Sequence, residues 1–161
     1  MPHYPAALPV SEAREQYFRN SGFAADGGYG DKWVKLKIGR GTIAFPNTKA
    51  RVRSVKLHDI HHILTEYDTS WIGEAEIAAW ELASNCRDHI PAWVLNGGAF
   101  VIGLFIAPRR TLRAFVRGWK SGNLYQREFD DSLLDRSVGE LREELHIPRS
   151  DAAPRDASNA A

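Results

Sequence analysis

Cysteine is almost missing. Cys86 is the only one among 161 residues, so no intrachain disulfide can form and a reducing compartment is permitted. Net charge is equally scarce: 21 Lys and Arg stand against 20 Asp and Glu, a formal balance of +1, which excludes a strongly charged polyelectrolyte. The opening residues, MPHYPAALPV, contain no Lys or Arg and lack the basic and apolar regions of a secretory signal, so the expected location is the cytoplasm. No internal repeat is present. A chain of this length hides about 70% of its unfolded surface on folding, enough for one ordinary core without disulfides.

What the chain does have is charge sorted into blocks. From Trp33 to Leu57 there are seven basic residues and no acid, whereas His58 to Cys86 holds six acids, no Lys or Arg, and three of the six histidines. A second basic cluster follows at Arg109, Arg110, Arg113, Arg117 and Lys120. Such segregation points to separate tasks for separate segments.

The pattern predicts a mainly α fold, an antiparallel helical bundle with a short N-terminal β-hairpin. Ser11 begins a helix that Gly22 ends, and GFAADGGYGD is a loop. Residues 1–32 thus form an N-terminal helix and Gly-rich loop. VKLKI, the GRG turn and TIAF read as an amphipathic hairpin over 33–46. Asn47 or Thr48 caps a helix reaching about Tyr67, and Thr69 or Ser70 caps the next, WIGEAEIAAWELAS. The main helical domain runs over 33–149, and the small polar residues of 150–161 predict a disordered tail.

Ile90 to Ala107 carries no charge over 18 positions, the lower limit for crossing a hydrocarbon core about 30 Å thick. Asn96, Gly97, Gly98 and Gly103 dilute it, so a buried central helix or a re-entrant, lipid-facing segment fits as well. The next segment, from Pro108, places Leu112, Phe115, Val116 and Trp119 on one stripe, with Arg109, Arg113, Arg117 and Lys120 beside it. That is a basic amphipathic helix suited to an anionic membrane surface. No nucleic-acid reader motif accompanies it, so nucleic acid is not an expected partner. Ser137 and Glu140 form a capping box for a last short helix, which His146-Ile-Pro148 stops.

The chemistry concentrates in HDIHH. His58 and His62 are i and i+4 on a helix, so both imidazoles leave one face about 6 Å apart and can chelate one divalent ion. Asp59 lies about 100° further round and serves as a third ligand, an outer partner or a base. Glu74, in the first turn of the following helix, returns over the histidines if the two helices are antiparallel. Two histidines and two carboxylates suit zinc, iron, manganese or cobalt. His61, i+3 from His58, is a neighbour of the site or exposed; Glu76 points away from Glu74's direction, and Cys86, His89 and His146 have no chelating partner.

HDIHH followed by Glu74 has the H-D-x-x-H-x11-E pattern of the coenzyme Q (ubiquinone) biosynthesis protein family, whose members act as ring decarboxylase and organiser of the ubiquinone synthesis complex. The resemblance extends over about Val55 to Pro148, through LHDIHHILTEYDTSWIGEAEIAAWELAS and RGWKSGNLYQREFDDSLLDRSVGELREELHI. It implies a helical fold and a divalent metal, zinc foremost, on His58, Asp59, His62 and Glu74. It further implies a groove for an isoprenoid-tailed aromatic substrate, peripheral membrane attachment and oxidative decarboxylation, a lyase-type activity. The hairpin before the motif departs from the family, which has helices there. The protein partners consistent with this reading are other biosynthetic enzymes and a second copy of the chain. A lipid-binding scaffold with a purely structural metal is the alternative. A histidine-aspartate phosphohydrolase shares only His58-Asp59 and ranks last.

Overall fold

The computed structural model describes residues 3–38 and 41–148, with the side chains of 35–38, 41 and 43 left aside. Its elements follow the order α1 (Val10–Ser21), β1 (Trp33–Ile38), β2 (Gly41–Pro46), α2 (Lys49–Thr65), α3 (Trp71–Ser84), α4 (Ile90–Ile106), α5 (Pro108–Trp119), α6 (Asp131–Leu134) and α7 (Val138–Glu144). The fold is mainly α with one two-stranded antiparallel hairpin, registered from Trp33 opposite Pro46 to Ile38 opposite Gly41. The turn at Gly39-Arg40, the faces of the hairpin's central side chains and the tail from residue 149 lie outside the described residues.

Local chemistry sets most boundaries. Thr48 Oγ1 accepts the Arg51 amide at the start of α2, and Ser70 Oγ accepts the Gly73 amide at the start of α3. Asn47 does something else: its side-chain amide donates to the Asp31 carbonyl at 2.9 Å and its oxygen accepts from Arg51 at 2.7 Å, tying the loop to α2. The capping box of Ser137 and Glu140 opens α7 as expected. At α1 the expected Ser11 cap is replaced by Pro9. The Val10 amide instead donates to the Arg136 carbonyl at 2.8 Å, so a partner more than 120 residues away supplies the acceptor a cap would have given. Leu8 and Ala6 carbonyls likewise accept from Val138 and Gly139, so an N-terminal strap lies along the start of α7.

The order of pairings fixes the helix directions. His58 meets Glu81 while His62 meets Glu74, so α3 runs back along α2. Asn96 meets Glu81, and Gly103 lies against Ala75, so α4 is antiparallel to α3; Arg110 on Glu76 and Gly118 on Trp80 make α5 parallel to it. Gly118 is needed there, because a Cβ would run into the Trp80 backbone.

The buried central helix is α2, not the apolar run. From Leu57 to Tyr67 only His58 is not buried, although this stretch carries two acids and three histidines. Its polar groups are satisfied from other elements. Buried Arg142 of α7 donates to the carbonyls of Leu64, Ile63 and Tyr4 and to Glu66, and Arg117 donates to the Thr65 carbonyl, so two cations meet the C-terminal end of the helix dipole. The core is completed by Trp80, Tyr125, Leu124, Ile77 and Leu141.

Helix α4 lies at the surface. Only Ala92, Asn96 and Gly103 of its 17 residues are buried, while Ile90, Val94 and Phe105 are 71%, 68% and 84% exposed. No helix among the described residues is long and apolar enough to cross a membrane. On α5 the buried stripe is Thr111, Ala114 and Gly118, which leaves Leu112, Val116 and Trp119 outside. The apolar sides of α4 and α5 join through the ring contacts of Phe100 with Phe115 and Phe115 with Trp119.

Candidate metal centre

One turn of α2 separates His58 from His62, and their rings stand perpendicular with Nε2 atoms 3.1 Å apart. Glu74, delivered by the first turn of α3, places Oε2 at 3.6 Å from His58 Nε2 and Oε1 at 3.4 Å from His62 Nε2. Donor atoms of these three residues all lie within 4.8 Å of one another. Two nitrogens each about 2.0–2.1 Å from one ion would be about 2.9–3.4 Å apart in octahedral or tetrahedral geometry. The observed 3.1 Å falls inside that interval.

The opposite ring nitrogens explain why both Nε2 atoms face the shared space. His62 Nδ1 is 2.9 Å from the Tyr67 carbonyl, which can only accept, so that nitrogen carries the proton. His58 Nδ1 is 3.0 Å from Glu81 Oε1. Each histidine therefore anchors one nitrogen and presents the other. Tyr17 stacks on the His62 ring, with centroids 5.4 Å apart, and limits its rotation.

Two nitrogen lone pairs and a carboxylate converging without a cation repel one another, and a proton relieves part of this. Burial works against a charged His58, but the Glu81 and Glu74 carboxylates outweigh it and lift its pKa well above the ordinary value. Burial tends to raise Glu74, yet its hydrogen bonds from His58 and His62 prevail and hold it below the usual carboxylate range. The same balance, with His58 and His61 as partners, depresses Glu81. The residues thus fit a divalent ion of the nitrogen- and oxygen-liking kind.

Asp59 is not brought into the three-residue cluster. Its Oδ2 accepts from Tyr29 OH at 2.5 Å, and burial raises its pKa. Tyr29 comes from the Gly-rich loop. Gly27, at φ 68° and with Phe18 and Tyr29 rings where a Cβ would sit, is the residue that lets the loop fold tightly enough to deliver it. Burial and the nearby Asp59 carboxylate push the Tyr29 phenol upward, so it keeps its proton.

His61 is completely buried rather than exposed, with Nδ1 on Glu81 at 2.6 Å and Nε2 accepting the Leu124 amide at 2.9 Å. Glu76 is paired with Arg110 through two hydrogen bonds, away from the cluster. His89 bonds Ser54, and Cys86 is a buried free thiol raised to about 12 by burial. Sequence reasoning missed Tyr17, Tyr29, Glu81, Asn96 and Tyr125. Glu81 had a signal, since it lies seven residues after Glu74 in the otherwise apolar AAWELAS, and a lone acid at that spacing shares the same helix face.

The site is not sealed. Glu74 keeps 38% and His58 21% of its side-chain surface exposed, so the open side of the three donors faces solvent. No protein-family model, curated protein or solved structure matches the chain.

Proposed function

We propose that the protein is a metal-dependent decarboxylase of the ubiquinone-biosynthesis type, acting on a prenylated or otherwise lipophilic aromatic acid at a membrane surface. The observation that carries this reading is the open three-donor centre. Catalytic metal sites keep three protein ligands and an exchangeable position, whereas structural sites fill all four. His58, His62 and Glu74 supply three, and Asp59 is held by Tyr29 instead of closing the fourth.

Zinc is the first candidate ion, with iron, manganese and cobalt as alternatives. When bound it would act as a Lewis acid toward a ring carboxylate or an ortho oxygen. His58 and His62 hold their Nε2 atoms toward that position, Glu74 supplies the negative oxygen, and Tyr29 keeps its phenolic proton on Asp59. The carbon-carbon bond to the carboxylate breaks and carbon dioxide leaves. A proton takes its place on the ring; in the oxidative form dioxygen and water are consumed, a hydroxyl takes its place, and the two electrons lost by the substrate leave with the remaining oxygen as hydrogen peroxide.

The exposed apolar sides of α4 and α5 support the membrane half of the reading. Arg109, Arg113 and Lys120 are exposed beside them, and basic residues near an anionic surface contribute about 1 kcal/mol each. Arg117, also expected in that stripe, donates to the Thr65 and Pro148 carbonyls and so turns toward the protein. The extent of this apolar face also favours a second reading, a lipid-presenting scaffold in which the metal is structural.

Metal analysis of the purified protein, with a thermal melt in the presence and absence of added zinc, is the test. About one divalent ion per chain and a raised Tm are expected. A chain that retains no ion and gains no stability from zinc, cobalt, manganese or iron overturns the reading. Mass spectrometry of co-purified lipids separates the two forms of it: a prenylated aromatic acid supports the enzyme, and bulk phospholipid the scaffold.

A further inference from the structure

We infer that Glu81 is the positioning residue of the metal centre, holding His58 in the one orientation and protonation pattern that turns Nε2 toward the ion. The inference rests on the metal-binding reading above. Glu81 does not itself reach the cluster; it acts through His58.

The geometry is complete around this carboxylate. Glu81 is fully buried on α3, two turns after Glu74. Oε1 accepts from His58 Nδ1 at 3.0 Å and from His61 Nδ1 at 2.6 Å. Oε2 accepts from Asn96 Nδ2 at 2.5 Å and from Tyr125 OH at 2.9 Å. An ionised carboxylate offers about four lone-pair sites, and here four donors from α2, α4 and the segment after α5 occupy them. The group therefore has no freedom to turn away from His58.

His61 locks the arrangement from the other side. Its Nε2 accepts the Leu124 amide, so its only proton sits on Nδ1 and points at Glu81. Both of its nitrogens are occupied, which removes it as a substitute ligand for His62. With Nδ1 donating to Oε1, His58 is left with Nε2 for the ion. A buried anion behind a ligating histidine also makes that imidazole a stronger donor.

The test compares Glu81→Gln with wild type and with Glu76→Gln, the same change at a carboxylate of the same helix that pairs with Arg110 away from the cluster. Zinc affinity is measured by competition with a chromophoric chelator, and folding of each variant by its thermal melt. Outer partners of this kind typically change metal affinity 10–100-fold, so E81Q is expected to bind zinc at least about tenfold more weakly, with E76Q within about threefold of wild type. Equal zinc affinity in folded E81Q and wild type overturns the inference. If E81Q does not fold, Glu81→Asp, which keeps the charge but withdraws it by one methylene, carries the same expectation and the same refutation. Long-range proton-nitrogen NMR of zinc-loaded wild type supplies a check that needs no variant. His58 should show a protonated Nδ1 and an ion-bound Nε2; an ion on Nδ1 overturns the inference. Wild type that binds no zinc, cobalt, manganese or iron removes the metal reading itself, and this inference with it, whereas tight wild-type binding with an unaffected E81Q removes only the role of Glu81.

Discussion

Titrating zinc into the metal-free protein should expel a proton. The two Nε2 atoms stand 3.1 Å apart, a hydrogen-bond distance, and both Nδ1 atoms are already committed to acceptors, Glu81 and the Tyr67 carbonyl. The Glu81 and Glu74 carboxylates outweigh burial and hold the His58 pKa well above its ordinary value, so below that raised pKa His58 carries a second proton, and its Nε2 proton occupies the place the ion would take. Binding replaces that proton. Below the raised pKa, one proton released per ion makes affinity rise tenfold per pH unit, about 1.4 kcal/mol. Calorimetric titration in buffers of different ionisation enthalpy, at about pH 6, 7 and 8, measures both the proton count and the dissociation constant. Proton release on binding, with affinity that rises with pH below the raised pKa and levels off above it, is expected. Zinc binding that is independent of pH with no proton released would refute the shared-proton picture, and with it the assignment of His58 as charged in the metal-free state.

Replacing Arg109, Arg113 and Lys120 together by Ala should weaken binding to vesicles containing phosphatidylserine by about 100-fold, from about 1 kcal/mol per cation, as read by co-sedimentation; unchanged binding removes the membrane surface from the proposal. Arg142→Met removes the guanidinium partner of buried Glu66 and of three carbonyls and should cost about 3–5 kcal/mol in urea unfolding. Gly118→Val forces α5 off the Trp80 backbone, an overpacking penalty of about 1–3 kcal/mol, visible as a lower urea midpoint. On the acid side, Glu74 and Glu81 are held below their unfolded value of about 4.5 because imidazole partners outweigh burial. Their contribution to stability is therefore fully present above about pH 4.5 and is lost as pH falls through the depressed values. E81Q should flatten that decline in a pH series of melts; an unchanged slope would show Glu81 is not part of it.

Features with short-range causes were legible in the sequence. Thr48, Ser70, Ser137 with Glu140, and Gly22 act within a few residues of themselves, and each sits at the boundary it signals. His58, His62 and Glu74 were also readable, because i,i+4 spacing and a tight reversal between two helices are enough to make them converge. Ser11 misled because the acceptor for the first turn of α1 comes from Arg136, far along the chain. The apolar run of α4 resembles a core or membrane helix by composition, yet burial depends on what packs against a helix. The polar α2 won the centre because Glu81, Arg142 and Arg117 satisfy its polar groups. Tyr29, Asn96 and Tyr125 were invisible for the same reason: each meets Asp59 or Glu81 from another element, a relation no local spacing encodes.

The strap along α7 has a consequence for the order in which the molecule can be made. Tyr4 and Arg142 are bonded across a separation of 138 residues, and that same arginine fastens the carbonyls of Ile63 and Leu64 beside His62. During synthesis at about 5–20 residues per second, the N-terminal end must wait about 7–28 s for its partner. Until α7 emerges, α2 lacks one of the two cations that close its end. The C-terminal end of α2, where His62 sits, is therefore completed only once nearly all of the described chain has been made.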